Sequence, residues 1–583
     1  MPLTTPETSP GRTSQTRRQG HEDSSGRNVG QPSPRSCARL AWLLLLGGLA
    51  CGCTSLPEYI HNGFKVGPNY GRPPAPVARE WIDAADVRVR SEADDLSKWW
   101  TVFNDPVLNS LVCSAYQQNL SLRVAGFRVL EARAQMLIDV GNLLPQTQAM
   151  TGSYTRNALS RETANSNFVT SGKRWFSQWQ YGFNLSWELD FWGRFRRAVE
   201  ADAAALDASV ENYDDVLVTL LGDVATNYVN LRTLEGRIKY ARANVDLQRK
   251  TLEIVQGRFK NGLTSELDVD QARSTLEQTE AAIPELEISL RQTSNQLCIL
   301  LGIPPEELRQ RLGPAPIPSA PPQVVVGIPA DLLRRRPDVR RAERQAAAQS
   351  ARIGIAEAEF YPHIAINGTM NYEAEHFKDL FREKAFSGTV GPSFQWNILN
   401  YGRLLNNVRL QDATFQELVA AYQNTVLSAQ QDVENGLVTF LKAQQRTKSQ
   451  QSSVDDAAKA VQIALAQYNA GTIDLTRVTL LEQNLVQQQD TLAQAQGEIA
   501  LGLIQAYRAL GGGWQIRTTG CQPGPLPPTA DQAPETLPAL RPAAPSGPAS
   551  GTPAQGSAMA APGTKQVASR SASPSPSGGT VVS

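Results

Sequence analysis

The chain has 583 residues, too many for one compact core at a prior of roughly 150 residues per domain. Lys+Arg and Asp+Glu each number 56, so the net charge is zero, which excludes a nucleic-acid binder held mainly by phosphate contacts. His21, His61, His363 and His376 are scattered, and beyond residue 53 only Cys113, Cys298 and Cys521 remain, far apart; this excludes a histidine-rich metal centre and a CxxC pair and predicts no disulfide framework.

Residues 1–36 are polar and rich in Ser, Gly, Pro and Arg. An apolar run over 40–50 follows Arg35 and Arg39, the layout of a signal peptide and too short to span a bilayer. The run ends in ACGC. Small residues leading into a cysteine resemble a bacterial lipobox, so cleavage before Cys53, or alternatively Cys51, would leave a lipidated N-terminal cysteine. An ordinary signal peptide with a free thiol is the other reading. No run of 18 or more apolar residues occurs, so no membrane-spanning helix is expected.

The remainder is a duplicated pattern. FWGRFRR, with Gly193, reappears as NYGRLLN, with Gly402, and RFKNGLTSELDVDQA, with Gly262, reappears as QYNAGTIDLTRVTLL, with Gly471; both offsets are 209. Between these marks Leu217, Leu221, Val224, Tyr228 and Leu231 follow 4-3-4-3 spacing, and their counterparts are Val426, Gln430, Val433, Leu437 and Phe440. Upstream, Pro145 lies opposite Pro362 at an offset of 217, so a loop differs between the copies.

Each copy predicts the same elements. A helical stretch (107–141, then 331–358) ends at the proline. A strand, a loop and a second strand follow, then the GR turn and a very long helix ending at Gly262 or Gly471. Glycine supplies the positive φ of a tight reversal. Each long arm covers 69 residues, about 100 Å of helix. The returning arms, 266–300 and 475–510, span only about half of that, so 107–141 and 331–358 are expected to stack end to end on them. Pro284 should kink or adjust its helix. The heptad-like seam predicts coiled-coil packing.

The clearest strand is 175–191. Trp175, Trp179, Tyr181, Phe183, Leu185, Trp187, Leu189 and Phe191 hold odd positions, and polar residues or glycine fill most of the even ones. Period two with one aromatic and one polar face suits a strand between lipid and water. The counterpart in the second copy, 389–399, carries Val390, Pro392, Phe394, Trp396 and Ile398. Ile364, Ile366, Met370 and Tyr372 mark a weaker strand over 363–374, and 146–157 is poorly patterned. Four strands cannot close a membrane barrel, and open edges in lipid leave backbone groups unsatisfied, so several chains would have to share one barrel.

These residues resemble the outer-membrane efflux protein family, the TolC-like trimeric channels, and within it the NodT/OprM-type lipoproteins. The resemblance runs from about Cys53 to Trp514 and is carried by VGPNYGRPPAP (66–76), KWWTVFNDPVLNSLV (98–112), LLRRRPDVRRAE (332–343) and IGIAEAEFYPHIAINGT (353–369). It implies a mainly α fold with a membrane β-barrel: two tandem repeats giving four strands and long coiled-coil helices per protomer. It implies a homotrimer with a twelve-stranded barrel on a twelve-helix periplasmic tunnel, lipid-anchored in the outer membrane. The implied activity is a passive exit duct fed by an inner-membrane pump, usually of the RND type, through a periplasmic adaptor. Family hairpin tips meet the adaptor; here they match Phe259, Asn261, Gly262, Leu263 and Thr264, and Tyr468, Ala470, Gly471, Thr472 and Ile473. Several members close the tunnel with an aspartate ring on the second hairpin, where this chain has Asp474, Arg477 and Leu480; Asp268 and Asp270 on the first hairpin are the substitutes. An acid near a helix start is more often solvated or held by the helix dipole. Trp179, Tyr181, Phe183, Trp187, Phe394 and Trp396 would face lipid.

The organisation expected is a leader (1–52), a lipid-anchored segment (53–106), a first repeat (107–310), a second repeat (311–515) and a Pro/Ala/Ser/Gly-rich disordered tail (516–583). No GxSxG, HExxH, P-loop or dinucleotide fingerprint occurs, so neither an enzyme nor a cofactor is expected. The alternative from another class is a periplasmic coiled-coil structural lipoprotein without a pore, which leaves the aromatic strand pairs unexplained.

Overall fold

The computed structural model describes residues 55–92, 95–160 and 174–521. Both candidate lipid cysteines, the leader and the chain beyond 521 lie outside them. In chain order the elements are α1 (Leu56–His61), β1 (Val89–Arg90), α2 (Pro106–Gln118), α3 (Leu120–Gly141), β2 (Thr147–Ala158), β3 (Trp175–Leu189), α4 (Arg194–Lys260), α5 (Glu266–Leu301), α6 (Leu308–Leu312), β4 (Val324–Val325), α7 (Leu332–Arg335), α8 (Pro337–Ala358), β5 (His363–Ala374), β6 (Phe386–Gln395), α9 (Arg403–Asn469), α10 (Leu475–Ala509) and α11 (Ile516–Thr519).

The long helices α4 and α9 have 67 residues each and contain no proline, so each runs unbroken for about 100 Å. The returning helices α5 and α10 are about half as long. The shorter helices complete the second arms end to end, because their caps are shared. Asn119 breaks the expected 107–141 helix in two: its Oδ1 accepts from the Leu122 amide (2.9 Å) and its Nδ2 donates to the Leu300 carbonyl at the end of α5 (2.9 Å). Arg336, ahead of Pro337, does the same in the second half, donating to the Ala509 carbonyl (2.9 Å) while pairing with Asp338 (2.7 Å). Both devices satisfy carbonyls that a helix end leaves orphaned. Pro284 sits inside α5 without ending it.

The heptad seam is buried. Leu217, Leu221, Val224 and Tyr228 are fully sequestered, as are Val433, Leu437 and Phe440. On α9 and α10 the backbones touch: a Cβ on Gly502 would lie 2.7 Å from the Phe440 amide nitrogen, and one on Gly436 2.6 Å from that of Ala506. Glycine is required at this approach because no neighbouring side chain can yield.

A strap over 62–90 crosses the helices. The fully buried Arg197 of α4 donates to the carbonyls of Val66 (3.0 Å) and Gly67 (2.8 Å) and to Glu200 (2.8 Å). Farther on, Gln430 accepts from the Ala78 amide (2.8 Å), Trp81 donates to the Gly327 carbonyl (2.9 Å), and β1 pairs in parallel with β4.

Several further expectations need correction. Cys113 and Cys521 form a disulfide across 408 residues, with Cα atoms 5.5 Å apart. Spacing hid it, because only the packing of the C-terminal segment brings the two thiols together. That segment, 516–521, expected to open the disordered tail, is instead packed: Ile516 is fully buried, and Arg517 grips buried Asp214 at 2.7 and 3.1 Å. The fourth strand is Phe386–Gln395 rather than 389–399. Phe386 already pairs with Tyr372, and the ladder ends where His363 meets Gln395, so Trp396 and Ile398 lie beyond it. Likewise β3 ends at Leu189, short of Phe191.

Candidate channel wall and hairpin tips

Among the described residues no helix is long and apolar enough to cross a membrane. The four long strands form one antiparallel sheet in the order β2-β3-β5-β6. Its register puts like with like. Across the strands lie Met150, Phe183 and Met370; then Tyr181, Tyr372 and Phe386; then Trp187, Ile366 and Pro392. Tyr181 stacks on Tyr372 with centroids 5.1 Å apart, and Trp179 packs on Tyr154 at 4.5 Å. Phe394 and Val390 share this face and are 76% and 79% exposed in the single chain.

The opposite face is polar, and its side chains bond to each other. Asn184 donates to Thr151 (3.4 Å), Ser186 to Asn367 (2.7 Å), Asn367 to Ser393 (2.7 Å) and Gln178 to Glu373 (3.2 Å), while Thr369 and Thr389 lie 2.8 Å apart. Trp179, Tyr181, Phe183, Trp187 and Phe394 therefore share one face. Trp396 sits past the strand, its indole donating to the Phe360 carbonyl (2.9 Å). Trp187 is partly sheltered, donating to the Leu143 carbonyl (3.2 Å). The sheet's outer strands, β2 and β6, each pair on one side.

At the far end of the helices, Gly262 (φ 69°) and Gly471 (φ 75°) adopt the left-handed turn expected of them. Val255, Val269, Ala464, Tyr468, Leu475 and Val478, drawn from all four hairpin helices, bury a small apolar core just behind the turns. Phe259 and Leu263 are exposed. The acidic candidates are engaged as caps or in ion pairs. Asp268 forms a capping box with Ser265 and accepts from the Thr264 hydroxyl; Asp474 caps α10 by accepting from the Arg477 amide (3.0 Å); Asp270 pairs with Arg273 (3.1 Å).

Arg258 was not singled out by sequence reasoning. It reaches from the first hairpin to the second, donating to the carbonyls of Tyr468 and Asn469 (3.3 Å to the latter) and lying over the Tyr468 ring at 4.7 Å. The offset of 209 places Gln467 opposite Arg258, and that break in the repeat was the available signal. Deeper in the bundle Glu482 is buried with the Thr251 hydroxyl donating to it (2.6 Å); burial pushes its carboxyl above the usual range, and that hydrogen bond offsets part of the rise. No cluster among the described residues could hold a metal ion.

A sheet with one aromatic face and one polar face, joined to paired helical hairpins of this length, fits a channel-forming protein of a bacterial outer envelope. The chain belongs to the outer membrane efflux protein family, whose model matches residues 111–303 and again 328–512. It is similar to nodulation protein T of Rhizobium leguminosarum bv. trifolii, with 30% identity over 464 residues, covering 78% of this chain and 95% of that one. It is similar to the pyoverdine export outer membrane protein OpmQ of Pseudomonas putida, with 30% identity over 427 residues, covering 72% and 88%. Among solved structures it matches the outer-membrane channel OprN with a TM-score of 0.71 and 30% identity, covering 77% of this chain and 99% of that one.

Proposed function

We propose that three copies of the chain form the outer-membrane exit duct of a tripartite efflux system. The two open strand edges carry this reading. In lipid the free backbone groups of β2 and β6 must be paired, and a neighbouring copy offers the complementary edge. Three sheets of four strands close a twelve-stranded barrel, within the range known for such barrels. The polar, mutually bonded face then lines a watery lumen and the aromatic face meets lipid. The duct is passive, and cargo arrives from an inner-membrane pump of the RND type through a periplasmic adaptor. The adaptor meets the tips at Phe259, Asn261, Gly262, Leu263 and Thr264 and at Tyr468, Ala470, Gly471, Thr472 and Ile473. Cys53, or alternatively Cys51, carries the lipid anchor. The periplasmic gate is built around the cross-hairpin grip of Arg258 rather than on free carboxylates, because Asp268 and Asp474 are occupied as helix caps.

The test is single-channel conductance of the purified mature protein in planar bilayers, alongside Arg258→Ala, which releases the second hairpin. Stable conductance, larger or more frequent in the variant, is the expected result. An oligomer that conducts in neither form would overturn the duct and favour a non-conducting coiled-coil lipoprotein.

A further inference from the structure

The segment just after the candidate lipid cysteines presents an apolar surface that the duct reading does not use. Leu56, Ile60 and Phe64 are 72%, 54% and 55% exposed, and Phe191 beside them is 53% exposed. The chain that carries them is held by a set of contacts around Tyr59 and Arg196. The Tyr59 hydroxyl donates to the Phe191 carbonyl (2.7 Å), and the Tyr59 ring packs on Phe64 and Trp192 with centroids 5.6 and 5.8 Å apart. Arg196 donates to the carbonyls of Gly63 (2.9 Å) and Phe64 (2.8 Å) while pairing with Asp190 (2.9 Å). Phe64 has φ 62°, a left-handed conformation rare for a bulky residue, and it presents an exposed ring. Local strain that puts an aromatic ring into solvent calls for something to cover it.

We propose that Leu56, Ile60, Phe64 and Phe191 form a wedge that enters the periplasmic leaflet of the outer membrane, a phospholipid contact separate from the acyl anchor. It rests on the reading of the sheet's aromatic face as lipid-facing. Phe191 follows the end of β3, where its amide donates to the Leu189 carbonyl (2.7 Å), so the patch lies at the rim of the sheet. β3 is an inner strand of the sheet, whereas a neighbouring copy docks at β2 and β6, so the wedge lies where lipid rather than protein adjoins the wall. Ser55 is two residues from Cys53, a reach of about 7 Å, so acyl chains on Cys53 would enter the same leaflet beside the wedge. A short amphipathic segment lying in the interface with large apolar side chains inward is the physical form such contacts take.

The test uses the mature full chain carrying Cys51→Ser and Cys53→Ser, reconstituted in phosphatidylethanolamine/phosphatidylglycerol vesicles with or without brominated acyl chains. A thiol-reactive fluorophore is placed in turn by Ile60→Cys, Phe183→Cys and Val87→Cys. Ile60 and Val87 are exposed, at 54% and 85%, so those labels leave the packing intact. The expected result is loss of fluorescence in brominated vesicles at 60, as at 183, with none at 87. A label at 60 that behaves like 87 while 183 is quenched overturns the wedge and leaves the barrel standing. Absence of quenching at 183 as well overturns the lipid-facing reading, and the wedge with it.

Discussion

Arginine at position 183 and arginine at position 184 should have opposite consequences. β3 has 15 residues, about 50 Å of strand; tilted as barrel strands are, it rises roughly 35–40 Å and overlaps the ~25 Å apolar band of an outer-membrane wall. Phe183 is near its middle, between Met150 and Met370 on the aromatic face. In the proposed three-chain barrel Phe183→Arg would place a charge near the bilayer midplane at about 2–4 kcal/mol per chain, hence roughly 6–12 kcal/mol for three copies. Asn184→Arg points the same side chain at the hydrated face and forfeits one long hydrogen bond to Thr151, about 1 kcal/mol or less. The assay is the fraction of protein that stays oligomeric on unheated denaturing gels, together with the urea midpoint of the vesicle-inserted form. Phe183→Arg should lose the oligomer and Asn184→Arg retain it. Equal tolerance of both, or loss with Asn184→Arg alone, would refute the assignment of faces.

Three further outcomes follow from the helical body. Replacing Cys113 and Cys521 by serine should lower stability by about 2–5 kcal/mol and free the C-terminal segment, seen as faster proteolysis near 521; the intact bond should appear as a linked peptide in non-reducing mass spectrometry. Glu482, whose carboxyl is raised by burial, is protonated in the fold at pH values where the unfolded chain has lost the proton. Its contribution is therefore fully present below pH 4.5 and is lost as pH rises through the folded value; Glu482→Gln, which can still accept from Thr251, should flatten that decline in a pH series of urea melts. Gly502→Ala should destabilise by about 1–3 kcal/mol in the same melts, since its Cβ would press on backbone at Phe440 rather than on a side chain that can move.

Much of this architecture is legible because it repeats with a strong period. The turns at Gly262 and Gly471, the buried seam on α4 and the alternation of β3 each follow from a pattern long enough to outweigh local noise. β2 is hard to read for a physical reason. Its outer face offers Gln148, Met150, Gly152, Tyr154 and Arg156, so only two of five positions are large and apolar, and the strand is fixed by its ladder with β3. The break at Asn119 is equally silent, since an asparagine within a helical pattern becomes a cap only when another helix end arrives to take its amide. The disulfide depends on a meeting of residues 408 apart, which no local spacing encodes.

The departures from the repeat carry more information than the repeat itself. Where both copies face the same surroundings the paired positions keep the same character, so a change of polarity or charge marks a place where the two copies meet different neighbours. Leu221 lies buried in the first seam, but its counterpart Gln430 accepts from Ala78 and donates to the Pro76 carbonyl (2.8 Å), because the N-terminal strap crosses only the second helix there. Arg232 is buried and donates to the Gly313 carbonyl (2.7 Å), holding the chain that links the two halves; its counterpart, Leu441, has no linker to hold and instead offers its own carbonyl to Arg88 of the strap (3.1 Å). Arg258 faces the second hairpin's last carbonyls, and Gln467 stands opposite it in the repeat. In the first two cases the partner is a single unduplicated segment, whereas at the tips Arg258 meets the other copy of the repeat itself; in all three the paired positions have different neighbours, so one side chain of the pair is free to diverge. The same reasoning picks out Arg258→Gln as the substitution that makes the two tips alike. It removes a cationic grip on helix-end carbonyls, and it should loosen the second hairpin more than the first, read as selective loss of amide protection in Tyr468–Ile473 relative to Phe259–Thr264.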